Sequence, residues 1–187
     1  MIFVAPEVAL LRGFGVPTGP LEEAVDSISR AAPFRQLRTP GGRPMSAQQT
    51  NCGDCGWYSD SAGYRYETFD PLTGHPWPPM PEAFRHLAVD AARRAGYAHY
   101  DPDTCLLNRY VDGARMGAHR DADERDFTQP IVSVTWVPRR HFFGTARRAK
   151  ARPCASGSNP GTFWCGAAAR AWAITAYNRP KAARVSI

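Results

Sequence analysis

His119-Arg120-Asp121 sets an imidazole and a carboxylate two residues apart. On an extended strand, residues i and i+2 point to the same side, so both side chains can meet one ion. They supply two of the three ligands of a 2-His-1-carboxylate facial triad, which leaves positions open on Fe(II) for oxygen and a co-substrate. Alone, the triplet is weak, because most such triplets are surface or capping residues, so its neighbours must decide. Asn108 and Tyr110, also two apart, offer an amide and a phenol to one face of a strand, where the plain alternative is a polar face turned to solvent. Upstream, Thr50-Asn51-Cys52-Gly53 leads into Trp57, Tyr64 and Tyr66, set among Gly53, Gly56 and Gly63 with few aliphatics. Aromatics there could pack a core, but on loops they are the usual platform for stacking an unpaired base.

These residues need elements to hold them. Leu21, Val25, Ile28 and Ala32 recur at helical spacing behind Thr18-Gly19-Pro20, with Glu22 and Glu23 in the first turn. A second helix is expected over residues 81–95. Pro81 takes its first position, Phe84, Leu87, Ala88 and Ala91 form the apolar stripe, and Gly96 ends it. Residues 33–81 are rich in Gly, Pro, Asn and aromatics and read as hairpins and long loops. Strands follow at residues 105–110 and, after a turn at Gly113, at 131–134. Helices followed by strands give an α+β class with an antiparallel sheet.

Residues 34–134 carry a resemblance. Pro33-Phe34-Arg35-Gln36, Thr39-Pro40-Gly41-Gly42, Thr50-Asn51-Cys52-Gly53, Gly56-Trp57, Gly63-Tyr64-Arg65-Tyr66, Asp70-Pro71, Trp77-Pro78-Pro79-Met80-Pro81, Leu107-Asn108-Arg109-Tyr110, His119-Arg120-Asp121-Ala122-Asp123-Glu124 and Pro130-Ile131-Val132-Ser133-Val134 stand in that order. They resemble the AlkB family of Fe(II)- and 2-oxoglutarate-dependent dioxygenases, which repair alkylated nucleic-acid bases. The resemblance implies a double-stranded β-helix, a jelly-roll or cupin-like barrel, with an N-terminal nucleotide-recognition lid. It implies iron ligands at His119 and Asp121 and contacts to 2-oxoglutarate at Asn108 and Tyr110. It also implies lid residues at Trp57, Tyr64 and Tyr66, and a contact to the damaged base at Asp123. The implied reaction couples decarboxylation of 2-oxoglutarate to succinate and CO2 with hydroxylation of an N-methyl group, which leaves as formaldehyde. The implied partner is alkylated single-stranded DNA or RNA, met by a monomer.

Charge marks where that resemblance stops. The chain of 187 residues carries +6, but residues 1–134 hold 13 Arg, no Lys and 17 acidic residues, a net of −4. Residues 135–187 hold 8 Arg, 2 Lys and no acidic residue, a net of +10. The resemblance requires a second iron-binding His well downstream and Arg residues whose forks grip the 2-oxoglutarate carboxylates. After His119 the chain offers only His141, 22 residues on and too close, while Arg179 and Arg184 lack the matching context. A shifted reading frame accounts for both facts. Codons for Trp172-Ala173-Ile174-Thr175, read two nucleotides on, can encode Gly-Tyr-His followed by a Gly codon. Those for residues 159–166 can encode Pro-Gly-Asp-Val-Leu-Val-Trp-Gly. The expectation is an incomplete dioxygenase domain over 1–134 and an out-of-frame tail over 135–187. The tail then lacks the strands that close the barrel, and the chain as written is inactive.

Two other classes stay open. Cys52-Gly53-Asp54-Cys55, joined by Cys105, Cys154 or Cys165, is a candidate zinc module or redox pair. A non-catalytic relic would keep single-strand binding through Trp57, Tyr64 and Tyr66. Five cysteines argue against a secreted disulfide framework. No apolar run approaches the roughly 20 residues that span a bilayer, and the first residues lack a secretion signal, so a cytoplasmic protein off the membrane is expected.

Overall fold

The computed structural model describes residues 1–5, 8–111, 113–116, 127–136, 172–177 and 181–186. Its elements run β1 (Ile2–Ala5), β2 (Val8–Leu10), α1 (Gly19–Ala31), β3 (Gln48–Gly53), β4 (Gly56–Asp60) and β5 (Gly63–Glu67). They continue with α2 (Glu82–Arg94), β6 (Thr104–Arg109), β7 (Phe127–Trp136), β8 (Trp172–Tyr177) and β9 (Lys181–Ser186). Seven strands form one sheet in the order β1-β2-β9-β7-β8-β6-β3, and β4 and β5 form a separate hairpin.

Both helices form where the apolar spacing places them. Leu21, Val25 and Ile28 are the buried stripe of α1, and Phe84, Ala88, Ala91 and Ala92 that of α2. Pro81 stands one position outside α2, as its extended N-cap, and not as the first helical residue. A proline there removes a donor that would lack a partner anyway. Gly96 follows the helix at φ +99°. The two stripes pack with Cys52, Cys105, Leu107, Val132 and Val134 into the main core. Thr50 donates to the Ala32 carbonyl at 2.7 Å and ties β3 to the end of α1.

Period-2 alternation then fixes the other face. In the antiparallel pair β3–β6, Gln49 lies opposite Asn108, Asn51 opposite Leu106 and Cys52 opposite Cys105. Since Cys52, Cys105 and Leu107 face the helices, Gln49, Asn51, Leu106 and Asn108 face away from them. Ile131 of β7 joins Leu106 on this inner face, with Trp57 packed against both.

The tail is expected to lack the strands that close the barrel, yet the structure places β8 and β9 there. β8 pairs antiparallel with both β6 and β7, and β9 runs parallel to β7 and β2. Ladder bonds use main-chain groups that nearly every residue carries, and Trp172-Ala173-Ile174-Thr175-Ala176-Tyr177 contains good strand formers. Main-chain pairing therefore places strands where side-chain alternation announces none.

Candidate active site

The aromatic platform is built on the β4–β5 hairpin. Trp57 lies opposite Tyr66 and Ser59 opposite Tyr64, so Trp57, Tyr64 and Tyr66 share one face. The rings of Trp57 and Tyr64 stack at 5.6 Å between centroids and 17° between planes. Tyr64 is 50% exposed, whereas Trp57 and Tyr66 are half-buried. Arg65 holds the other face of the hairpin. Its guanidinium donates to both oxygens of Asp60 at 2.7 and 2.9 Å and to Glu67 at 2.5 Å, and lies 5.5 Å over the Tyr58 ring. These bonds, Arg65 first, hold the Asp60 carboxyl down from its ordinary 3.8 to about 2, and raise Arg65 above its usual range.

The hairpin is bolted to the sheet. The Asn51 amide accepts from the Trp57 N–H and donates to the Trp57 carbonyl, both at 3.0 Å. Gly56 must lack a side chain, because a Cβ there would collide with Asn51 and the Trp77 ring. Below, Arg35 grips Asp70 through both guanidinium nitrogens, one bond measuring 2.8 Å, and stacks over Trp77 at 5.4 Å. Asp70 also accepts from the Leu72 N–H, which fixes the loop leaving the hairpin.

Asn108 and Tyr110 are not the solvent-facing strand residues of the plain alternative: they are 4% and 8% exposed. Asn108 accepts from Gln49 Nε2 at 2.9 Å, so its own amide N–H groups are the donors it can offer. Tyr110 packs against Ala47, Ala114 and Met116, and burial pushes its phenol up to about 12, so it remains a hydroxyl donor. Two buried donors suit a co-substrate whose oxygens only accept, and 2-oxoglutarate is of that kind.

His119, Asp121 and Asp123 lie outside the described residues, as does His141. Among the described residues no group of three or more His, Cys, Asp or Glu is placed to hold a metal. Cys52, Cys55 and Cys105 are buried and not disulfide-bonded, Cys52 and Cys105 with the helices in the main core, and among the described residues they do not assemble a zinc site. Cys154 and Cys165 lie outside the described residues.

Comparison with known proteins decides the family. The pattern described as the 2OG-Fe(II) oxygenase superfamily matches residues 8–163. The chain belongs to this superfamily. Within it, the similar proteins carry the AlkB name. "Alpha-ketoglutarate-dependent dioxygenase AlkB" of Salmonella typhimurium is 45% identical over 148 residues, 78% of this chain and 68% of that protein. The Escherichia coli protein of the same name is 46% identical over 125 residues, covering 66% and 58%. An AlkB homolog of Caulobacter vibrioides is 41% identical over 140 residues, covering 71% and 62%. The chain thus spans about two thirds of the length of these relatives or less. A solved structure titled OsALKBH1 superposes with TM-score 0.59 at 20% identity, over 94% of this chain and 83% of that one. It supports a jelly-roll-type oxygenase fold. By family, the chain stands among the oxidoreductases, with the Fe(II)- and 2-oxoglutarate-dependent dioxygenases.

Sequence reading singled out Asn108, Tyr110, Trp57, Tyr64 and Tyr66. The structure gathers the three aromatics on one hairpin face and buries the other two against the inner wall. It also adds Gln49, Asn51 and the Arg35–Asp70 pair. Gln49 had no signal without the strand register that sets it opposite Asn108.

Proposed function

We propose that this fold is built for oxidative demethylation of alkylated bases in single-stranded DNA or RNA, a repair reaction. The observation that carries it is the shared wall. The stacked Trp57–Tyr64 pair is bolted through Asn51 to β3, and β3 pairs with the strand that carries Asn108. Trp57 also packs on Leu106, two residues from Asn108 on the same face. A base stacked on the aromatics is thereby set beside the co-substrate wall.

In this reading His119 and Asp121 hold the iron, Asn108 and Tyr110 hold 2-oxoglutarate, and Asp123 meets the base. Bound iron and 2-oxoglutarate would supply the oxidation with O2 as the oxidant: one oxygen atom would hydroxylate the methyl group, which leaves as formaldehyde, and the other would enter succinate as 2-oxoglutarate loses CO2. The chain's own part is orientation. Tyr64 and Trp57 fix the plane of the base, and the neutral phenol and amide fix the carboxylate-bearing co-substrate.

The same reading treats residues 135–187 as out of frame, which removes the second His and the Arg clamp. Co-substrate binding is then weak, and turnover by the chain as written falls below detection. The test compares formaldehyde release from a methylated oligonucleotide by this chain and by one whose frame is restored from residue 135. Release by the restored chain alone supports both parts. Turnover by the chain as written overturns the frame assignment. Silence from both, with strand binding that survives His119→Ala, marks a binding relic.

A further inference from the structure

Two buried amides side by side can bond in either direction, and the direction decides what they show a ligand. In this structure Gln49 Nε2 donates to Asn108 Oδ1 at 2.9 Å, within a buried pair. The reverse, Asn108 Nδ2 donating to Gln49 Oε1, would consume a donor of Asn108 and turn its oxygen outward. The observed direction has a visible penalty: Gln49 Oε1 is buried without a hydrogen-bond partner, in a residue 3% exposed. An unmatched buried acceptor is destabilising, so the arrangement is not one that stability alone selects.

We propose that Gln49 is a positioning residue that sets the hydrogen-bond direction of Asn108, so that Asn108 presents N–H donors to the carboxylate or keto oxygens of 2-oxoglutarate. This rests on the assignment of Asn108 to the co-substrate. Ionised 2-oxoglutarate has only acceptors, so Gln49 Oε1 cannot bond it, and Gln49 Nε2 is engaged with Asn108. Gln49 therefore acts through Asn108. Its place supports this: it lies directly across the ladder from Asn108, on the face that carries Asn51 and Trp57.

The test uses the full chain with Fe(II) under anaerobic conditions and follows 2-oxoglutarate binding by ligand-detected NMR, with thermal unfolding alongside. Gln49→Met keeps the length and removes the donor, exchanging the orphan acceptor of Gln49 for one on Asn108. It should weaken 2-oxoglutarate about five- to tenfold, one hydrogen bond's worth of orientation, while the unfolding midpoint stays level. Gln49→Glu can only accept, forces the bond to reverse and adds a negative charge. It should weaken binding further, and that extra loss should shrink in an Asn108→Ala background, as a double-mutant cycle reads it. Binding of a methylated single strand should stay within about twofold in both variants, because the hairpin keeps its own anchors.

Unchanged 2-oxoglutarate affinity in Gln49→Met overturns the inference. So does affinity lost together with stability, the mark of a structural role. If the chain binds no 2-oxoglutarate even with its frame restored from residue 135, the assignment of Asn108 to the co-substrate fails and this inference goes with it.

Discussion

The β4–β5 hairpin and the inner wall of β3–β6 use the same kinds of groups, amides, phenols and a carboxylate's partner, yet match them differently. In the hairpin and its anchor three polar groupings find their complements within the chain. Asn51 bonds Trp57 through both ends of its amide, Arg65 joins Asp60 and Glu67, and Arg35 joins Asp70. On the wall, Gln49 Oε1 is buried with no partner, and the Tyr110 hydroxyl reaches a Met116 sulfur at 3.9 Å, a weak acceptor. Polar groups that anchor the hairpin are paired inside the protein, whereas the wall keeps a buried group that is not.

That contrast can be broken or sharpened by substitution. The largest effect is expected at the anchor. Asp70→Ala strands the Arg35 guanidinium in a nearly buried site and should lower unfolding stability by about 3–5 kcal/mol, read by urea denaturation. Next comes the platform, where the loss should fall on binding alone. Tyr64→Ala removes a half-exposed ring and should cost about 1–3 kcal/mol in affinity for a single strand, measured by fluorescence anisotropy, with no change in the urea midpoint. If the midpoint falls as well, the ring serves the fold and the contrast is drawn in the wrong place.

Smaller still is the stability effect on the wall. Tyr110→Phe gives up only a sulfur contact, so it should shift stability by less than about 1 kcal/mol while 2-oxoglutarate binding visibly weakens. The smallest effect is a pH signature of the hairpin. Asp60 has a folded pKa depressed to about 2 from 3.8, so its contribution is present above pH 4 and is lost as pH falls toward 2. Asp60→Asn should therefore unfold like the parent at pH 2 and slightly more easily at pH 5. Equal midpoints at both pH values would show that solvent screens the Arg65 pair entirely.

What sequence alone made legible follows from where the apolar residues lie. The helices were readable because Leu21, Val25 and Ile28, and Phe84, Ala88 and Ala91, bury a 3.6-residue stripe. β6 and the middle of β7 were readable from their aliphatics. β3 was not, because Gln48-Gln49-Thr50-Asn51 shows no apolar alternation. These residues form a buried strand through bonds from distant places: Thr50 to Ala32, Asn51 to Trp57 and Gln49 to Asn108. The aromatic trio was legible as a group, but its common face depends on the hairpin register. Arg35 and Asp70 each stand in a motif of the resemblance, but they lie 35 residues apart and nothing local pairs them.

One glycine governs more than its own turn. Gly53 sits at φ +112°, and a Cβ there would drive into the Asp103 carbonyl, while the next N–H, of Asp54, bonds that same oxygen at 2.8 Å. This contact acts as a stop that indexes one strand against the other. Strand faces alternate with every residue, so losing a single residue between Gln49 and Gly53 would turn over the start of β3 while leaving β6 in place. Gln48 would take the place opposite Asn108, and Gln49 would be turned toward the helices. The chemistry of the site is thus addressed by parity, and a deletion too small to disturb the hairpin would be enough to erase it.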